Sequence, residues 1–131
     1  MTKVLDSFAL LAYLGKEPGY LIVQEALARA AQGHEKLLMS TVNWGEIYYI
    51  LSRRHGKDKT EATLNLIETF PIQLIPADIS LSREAAKIKA AHSLSYADCF
   101  AAALARRENC PVLTGDKEFR RLPPEYKIFW I

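Results

Sequence analysis

The sequence predicts an α/β fold: a mainly parallel central sheet of about five strands, flanked by helices. Two observations predict it. Short apolar runs of strand length alternate with longer runs of helical period from one end of the chain to the other. The strand-like runs are also separated by helical segments rather than tight turns, so successive strands run the same way and cross over through helices. No repeat, linker or low-complexity segment interrupts the 131 residues, which suit one domain, 1–131, with a real core.

Each element has its own justification. Lys3 to Leu5 is a short strand, and Ser7 is placed to cap the helix that follows through about Gly15. Pro18 fits the start of a second helix, with Val23, Leu27 and Ala30 as its apolar stripe and Gly33 at its end. Leu37 to Ser40 is the second strand. A third helix runs from about Val42 to His55, stopped by Gly56. Asp58 and Glu61 resemble a capping box for a fourth, with Leu64, Ile67 and Phe70 on its core side. Ile72 to Ile75 is a strand between Pro71 and Pro76. Leu81, Ala85, Ile88 and His92 mark one face of a fifth helix. A sixth starts at Ser95 and runs to about Asn109. Val112 to Thr114 is the fourth strand, Glu118 to Arg121 a single helical turn, and Ile128 to Trp130 the fifth strand.

Half the chain is hydrophobic and 24% is charged, an ordinary globular balance. No apolar run approaches the ~20 residues of a membrane span. The first residues, Met1 to Asp6, lack the apolar stretch and cleavage site of a signal peptide, so a cytoplasmic location is expected. Cys99 and Cys110 form no Cys-x-x-Cys pair and read as reduced packing residues. A net charge of +2 excludes a polycation that coats nucleic acid indiscriminately. Cations nevertheless cluster, at Arg53, Arg54, His55, Lys57 and Lys59 and again at Lys117, Arg120 and Arg121. Each cluster suits a solvated helix end or contact with a phosphate backbone.

Four carboxylates carry the chemistry. Asp6 follows the first strand and Asp116 the fourth, and in parallel sheets ligands bind beyond the carboxyl ends of strands. Glu46 lies on a helix that is apolar on nearly every side, three residues from Asn43 and so on its face. A glutamate buried there must be paired, protonated or metal-bound. Asp98 occupies the acidic position of a capping box begun by Ser95, but the helix it opens, Cys99 to Ala105, is apolar all round and therefore buried. Alone, Asp6 reads equally as a helix-start acid and Asp116 as turn chemistry. Together they predict an acidic nest. Like charges about 4 Å apart repel by roughly 4 kcal/mol at an effective dielectric near 20, so such a nest needs a cation or raised pKa values. Oxygen ligands suit magnesium or manganese. His34, His55 and His92 are scattered and give no zinc quartet.

The segments Val4-Leu5-Asp6-Ser7, Ser40-Thr41-Val42-Asn43-Trp44-Gly45-Glu46, Tyr96-Ala97-Asp98-Cys99-Phe100 continuing through Ala105, and Leu113-Thr114-Gly115-Asp116-Lys117-Glu118-Phe119, in that order, resemble the PIN-domain ribonucleases, and among them the VapC-type toxins of toxin–antitoxin pairs. The resemblance covers nearly the whole chain. It implies an endoribonuclease dependent on Mg2+ or Mn2+, a homodimer, and a small cognate antitoxin. Asp6, Glu46 and Asp98 match the family's core acids and Asp116 the more variable fourth. Thr114 matches a hydroxyl position, and Ser7 the small residue after the first aspartate. Asn43 lies where the family varies and is a candidate substrate contact. The expected reaction is attack of metal-activated water on an RNA phosphodiester, leaving a 5′-phosphate and a 3′-hydroxyl. Arg53, Arg54, Lys117, Arg120 and Arg121 are the expected phosphate contacts.

Other classes remain as alternatives: a PIN nuclease of RNA processing outside a toxin–antitoxin pair, and a non-catalytic module using the apolar run Trp44, Tyr48, Tyr49, Ile50 and Leu51 as core or as a partner surface. A phosphoacceptor domain would want a second acid beside Asp6, where Ser7 and Phe8 stand.

Overall fold

The computed structural model describes residues 1–131. In chain order the elements are β1 (Thr2–Leu5), α1 (Ser7–Leu14), α2 (Tyr20–Ala31), β2 (Lys36–Ser40), α3 (Thr41–His55), α4 (Lys57–Ile67), β3 (Ile72–Ile75), α5 (Ile79–Ala91), α6 (Tyr96–Arg107), β4 (Val112–Thr114), a 3-10 turn (Lys117–Arg121) and β5 (Ile128–Trp130). All five strands are parallel, in the order β3-β2-β1-β4-β5. The chain therefore winds outward from β1 in one direction through β3, then returns to β1's other side with β4. The boundary between β1 and β4 is the topological switch point, where neighbouring connections leave in opposite directions and open a crevice.

Strand alternation builds two cores. Val4, Leu38 and Val112 face α5 and α6, while Leu5, Leu37, Met39 and Leu113 face the side covered by α1 to α4. Helix α6 is buried without interruption from Asp98 to Ala105, as its all-round apolar sequence predicts. Its run of alanines lets neighbouring backbones approach closely. Cys99 and Cys110 are free and buried, also as expected. No helix is long and apolar enough to cross a membrane.

Several local expectations are corrected. Asp6, not Ser7, caps α1: its Oδ1 accepts the Ala9 backbone N–H at 2.9 Å. The strand ends at Leu5 as expected, but the helix starts one residue earlier than a Ser7 cap would need, with Ser7 as its first residue. The Asp58–Glu61 box does not form; α4 starts straight after Gly56, whose φ of +82° turns the chain between α3 and α4. Glu61 instead accepts the Tyr48 hydroxyl at 2.6 Å. Pro18 precedes the second helix, whose cap is Gly19, and that helix ends at Ala31, before Gly33. His92 leaves the α5 face as an extended C-cap residue. Finally, α3 buries a single stripe, Asn43, Ile47 and Leu51, and is not enclosed on every side. Tyr49 is exposed, and Trp44 and Tyr48 are half-buried.

At the opposite end of β1 from Asp6, Lys3 and Glu35 form a buried ion pair, with the Arg29 guanidinium 3.6 Å from the second Glu35 oxygen. The Lys3 ammonium also lies 4.9 Å from the centre of the Phe129 ring.

A candidate acidic site at the switch point

The site is assembled by strand ends and helix starts. Leu5 pairs with Leu113 across β1 and β4, so the next residues, Asp6 and Thr114, stand side by side at the switch point. The Thr114 hydroxyl donates to Asp6 Oδ2, and the same Thr114 oxygen accepts the Asp116 backbone N–H at 3.0 Å. Both Asp6 oxygens are thereby engaged, one by the helix cap and one by Thr114. The residue is fully buried, and burial pushes its carboxyl up to about 8. The two hydrogen bonds oppose that rise, while the charges of Asp98 and Asp116 add to it.

Asp98 comes from the first turn of α6, which Ser95 caps by accepting the Asp98 backbone N–H at 3.3 Å. Its carboxyl rises to about 7, through burial first and then through Asp116, with Glu46 and Glu118 contributing and Ser95 pulling the other way. Asp98 Oδ2 is buried and has no hydrogen-bond partner. Such an oxygen carries the full cost of lost solvation unless something outside the protein supplies a donor or a cation.

Glu46 enters from α3. The Ser7 hydroxyl donates to its Oε1, and the Tyr49 hydroxyl donates to its Oε2 at 3.4 Å. Asn43, one turn earlier, donates from Nδ2 to the Ala97 carbonyl at 3.1 Å. That bond ties α3 to the first turn of α6 and fixes the separation of Glu46 and Asp98. Asp116 caps the 3-10 turn by accepting the Glu118 backbone N–H at 2.9 Å.

The four expected acids share one electrostatic neighbourhood, since the charges of Asp98 and Asp116 reach Asp6 and those of Asp116 and Glu46 reach Asp98, but Asp6 and Glu46 stand outside the tightest group of oxygens. The sequence reading missed a fifth. Oxygens of Asp98, Asp116 and Glu118 lie within 4.8 Å of one another. Glu118 sits two residues after Asp116, where the 3-10 turn folds it back over the site; an acid two places beyond a strand-end aspartate was the available signal. Three acids this close, beside the buried Asp6 and with one buried carboxylate oxygen of Asp98 left open, fit a hard divalent cation bound by oxygen.

The expected cations are more dispersed. Arg53 and Arg54 lie at the exposed end of α3, with the Arg53 guanidinium 5.1 Å from the Tyr49 ring centre. Arg54 lines a cavity beside Phe8. Lys117, Arg120 and Arg121 occupy the 3-10 turn. The Arg121 guanidinium is held by the Ser93 carbonyl at 2.6 Å and Glu118 at 3.2 Å, and Arg120 lies over Trp130 at 5.7 Å.

A family model described as PIN domain matches residues 3–124. Among solved structures, the chain is similar to VapBC2 from Rickettsia felis bound to a fragment of promoter DNA, at 16% identity and TM-score 0.75, covering 98% of each chain. It is similar to the DNA-bound VapBC of Salmonella typhimurium, at 15% identity and TM-score 0.76 over 98% of this chain and 97% of that one. It is also similar to Mycobacterium tuberculosis VapC20, a sarcin–ricin loop cleaving toxin, at 17% identity and TM-score 0.67 over 90% and 92%. At these identities the likeness is one of fold. No curated protein matches the chain.

Proposed function

The chain belongs to the PIN-domain family, and from that premise we propose that it is a divalent-metal-dependent endoribonuclease, the toxin of a type II toxin–antitoxin pair. One observation carries the metal assignment: the buried, unpartnered Oδ2 of Asp98 inside a group of carboxylates. Asp6, Glu46, Asp98 and Asp116 are the proposed ligands of magnesium or manganese, with Glu118 beside them. A bound ion of this kind supplies positive charge at a phosphate and lowers the pKa of water to make a nucleophile.

The protein's own residues do the rest. Asp6 is a fixed ligand, because the α1 cap and the Thr114 hydroxyl immobilise both oxygens. Ser7 orients Glu46, and Asn43 holds the helix that bears Glu46 against the helix that bears Asp98. Once its proton has left, a carboxylate of the group is placed to accept the proton of attacking water. Arg53 and Arg54 at the end of α3, and Lys117, Arg120 and Arg121 on the 3-10 turn, are the proposed phosphate contacts along the strand's path to either side of the acids. The products are a 5′-phosphate and a 3′-hydroxyl.

The toxin assignment draws on the neighbours. One similar structure is a toxin that cleaves the sarcin–ricin loop, and two others are VapBC assemblies on DNA. The proposal accordingly includes a cognate small antitoxin, a homodimer, a cytoplasmic location, and residues 1–131 acting as one nuclease domain.

The test is cleavage of total RNA by the parent, Asp6→Asn and Asp98→Asn. The parent should cut in magnesium or manganese and stop in EDTA, while both variants fold and do not cut. Full activity of Asp6→Asn, or activity indifferent to chelation, refutes the metal-site reading. Growth arrest on expression, relieved by co-expression of a neighbouring small gene, tests the toxin assignment separately.

A further inference from the structure

We propose that the cavity between α1, the α1–α2 turn and the end of α3 is a base pocket that takes an unpaired guanine of the RNA strand lying at the acidic site. This rests on the nuclease reading above and names what that reading leaves open. The cavity has a volume of about 360 Å³ and is lined by Phe8, Leu11, Ala12, Glu17, Pro18 and Arg54. That is within the range of small-ligand sites, which begin at about 300 Å³.

Its position joins it to the acids. Phe8 directly follows Ser7, whose hydroxyl holds Glu46. The Phe8 ring edge lies so close to Gly115 that a Cβ there would come within 2.5 Å of it. Gly115 sits between Thr114 and Asp116, so one aromatic ring is both the outer wall of the acidic site and the inner wall of the cavity. Arg54 is eight residues beyond Glu46 on the same helix, about 12 Å along its axis. A strand crossing the acids therefore reaches the cavity within a nucleotide or two.

The lining chemistry selects the occupant. Phe8 is 42% exposed and offers a π-face for stacking an unpaired base. Leu11, Ala12 and Pro18 give flat apolar contact. Glu17 is exposed and accepts hydrogen bonds only. Guanine presents two adjacent donors, N1–H and N2–H2, to a carboxylate. Adenine presents one amino group, and uracil flanks its single donor with two repelling carbonyls. Arg54 is the matching partner for the phosphate. A partner helix is the poorer fit: it needs an apolar strip several turns long, whereas two of these six residues are charged and the space holds one base and its sugar.

Two experiments decide it, the first independent of catalysis. Titration of the metal-free protein with guanosine 5′-monophosphate, followed by amide NMR, should shift Phe8 and residues around Glu17 and Arg54. Binding should be roughly tenfold tighter than for uridine 5′-monophosphate. Glu17→Gln should collapse that ratio, and Phe8→Ala should weaken both ligands. Equal binding of the two nucleotides, shifts confined to other surfaces, or a ratio unmoved by Glu17→Gln would overturn the proposal. In the second, RNAs with each base at each position near the cut should show a guanine preference at one fixed distance, also lost in Glu17→Gln. Cleavage abolished by Asp98→Asn but without any positional guanine preference removes the pocket and leaves the nuclease standing. An RNA-inert parent removes the nuclease, and the mononucleotide titration then decides the pocket alone. A bound antitoxin segment that guanosine monophosphate cannot displace assigns the cavity to protein and also overturns the proposal.

Discussion

Magnesium binding should expel about two protons at pH 6 and almost none at pH 9. Burial pushes Asp6 to about 8 and Asp98 to about 7, against an ordinary 3.8. At pH 6 two such groups together hold about 1.9 protons, and at pH 9 about 0.1, taking each as an independent titration. A cation coordinated by both carboxylates must displace whatever they hold, so its apparent affinity should climb by about 100-fold per pH unit near pH 6 and level off above 8. The same shifts set the stability of the metal-free protein. Both folded-state pKa values are raised, so the stability tied to these groups is fully present below pH 4. It is lost as pH rises through 7 and 8, because ionisation then costs more in the folded chain than in the unfolded one. Calorimetric titration with magnesium in two buffers of different ionisation enthalpy counts the protons directly. Thermal melting of the EDTA-treated protein from pH 6 to 9 should show a falling midpoint that magnesium restores. Asp98→Asn should release about one proton fewer. A count near zero at pH 6 would refute the placement of a cation on Asp6 and Asp98.

Other perturbations address other contacts. Glu118→Gln should weaken magnesium affinity by roughly tenfold if its oxygen shares the group with Asp98 and Asp116, read by the same calorimetry; an unchanged constant assigns Glu118 to Arg121 alone. Thr114→Val leaves Asp6 Oδ2 and the Asp116 N–H without their partner and should cost about 1–3 kcal/mol in urea unfolding. Lys3→Met leaves the buried Glu35 charge only the looser Arg29 contact at 3.6 Å and should cost about 3 kcal/mol, while the double change Lys3→Met with Glu35→Leu should recover most of it. Gly19→Ala combines a φ of +91° with a Cβ placed 2.8 Å from the Ile131 carbonyl carbon, and should lower stability by about 2 kcal/mol without touching the acids.

The sheet and its helices were legible because their signals are local. Strand-length apolar runs bounded by proline or polar residues, and helical stripes such as Leu81, Ala85 and Ile88, depend on neighbours within a few residues. Three acids of the site were legible for a related reason: Asp6 and Asp116 follow strand ends and Asp98 opens a helix, where a parallel sheet gathers its ligands, whereas Glu46 lies past the first turn of α3 and was legible only as a charge in an apolar helix. What the sequence hid was set by small shifts and distant partners. The helix after β1 starts at Ser7 with no intervening residue, so Asp6 becomes the cap and Ser7 is spent on Glu46 across 39 residues. The apolar content of α3 suggested burial all round, yet the buried positions recur every four residues as one stripe, which leaves Tyr49 facing outward. Glu118 depended on the tightness of a 3-10 turn that its composition does not announce. The Lys3–Glu35 pair required knowing that β1 and β2 lie in register, since Lys3 is opposite Leu37.

The site divides its acids by how much freedom each retains, and that division follows from where the backbone puts them. Asp6 is locked, with one oxygen closing a helix and the other taking the hydroxyl of the adjacent strand end. Asp116 spends Oδ1 on the 3-10 turn, and Glu46 takes both of its hydrogen bonds from side chains. Only Asp98 enters the centre with a buried oxygen that nothing satisfies, on a helix whose next seven residues are also buried and so cannot swing it outward. A folded protein keeps such an oxygen at a cost of several kcal/mol of lost hydration for its charged form. Replacing Asp98 by asparagine therefore separates structure from chemistry: the metal-free variant should be at least as stable as the parent at pH 8, where the parent must hold the charge unpaired, while magnesium should no longer stabilise it. A variant less stable than the parent at that pH would mean that Asp98 is satisfied from within the fold, and that the open oxygen is not the place where the cation binds.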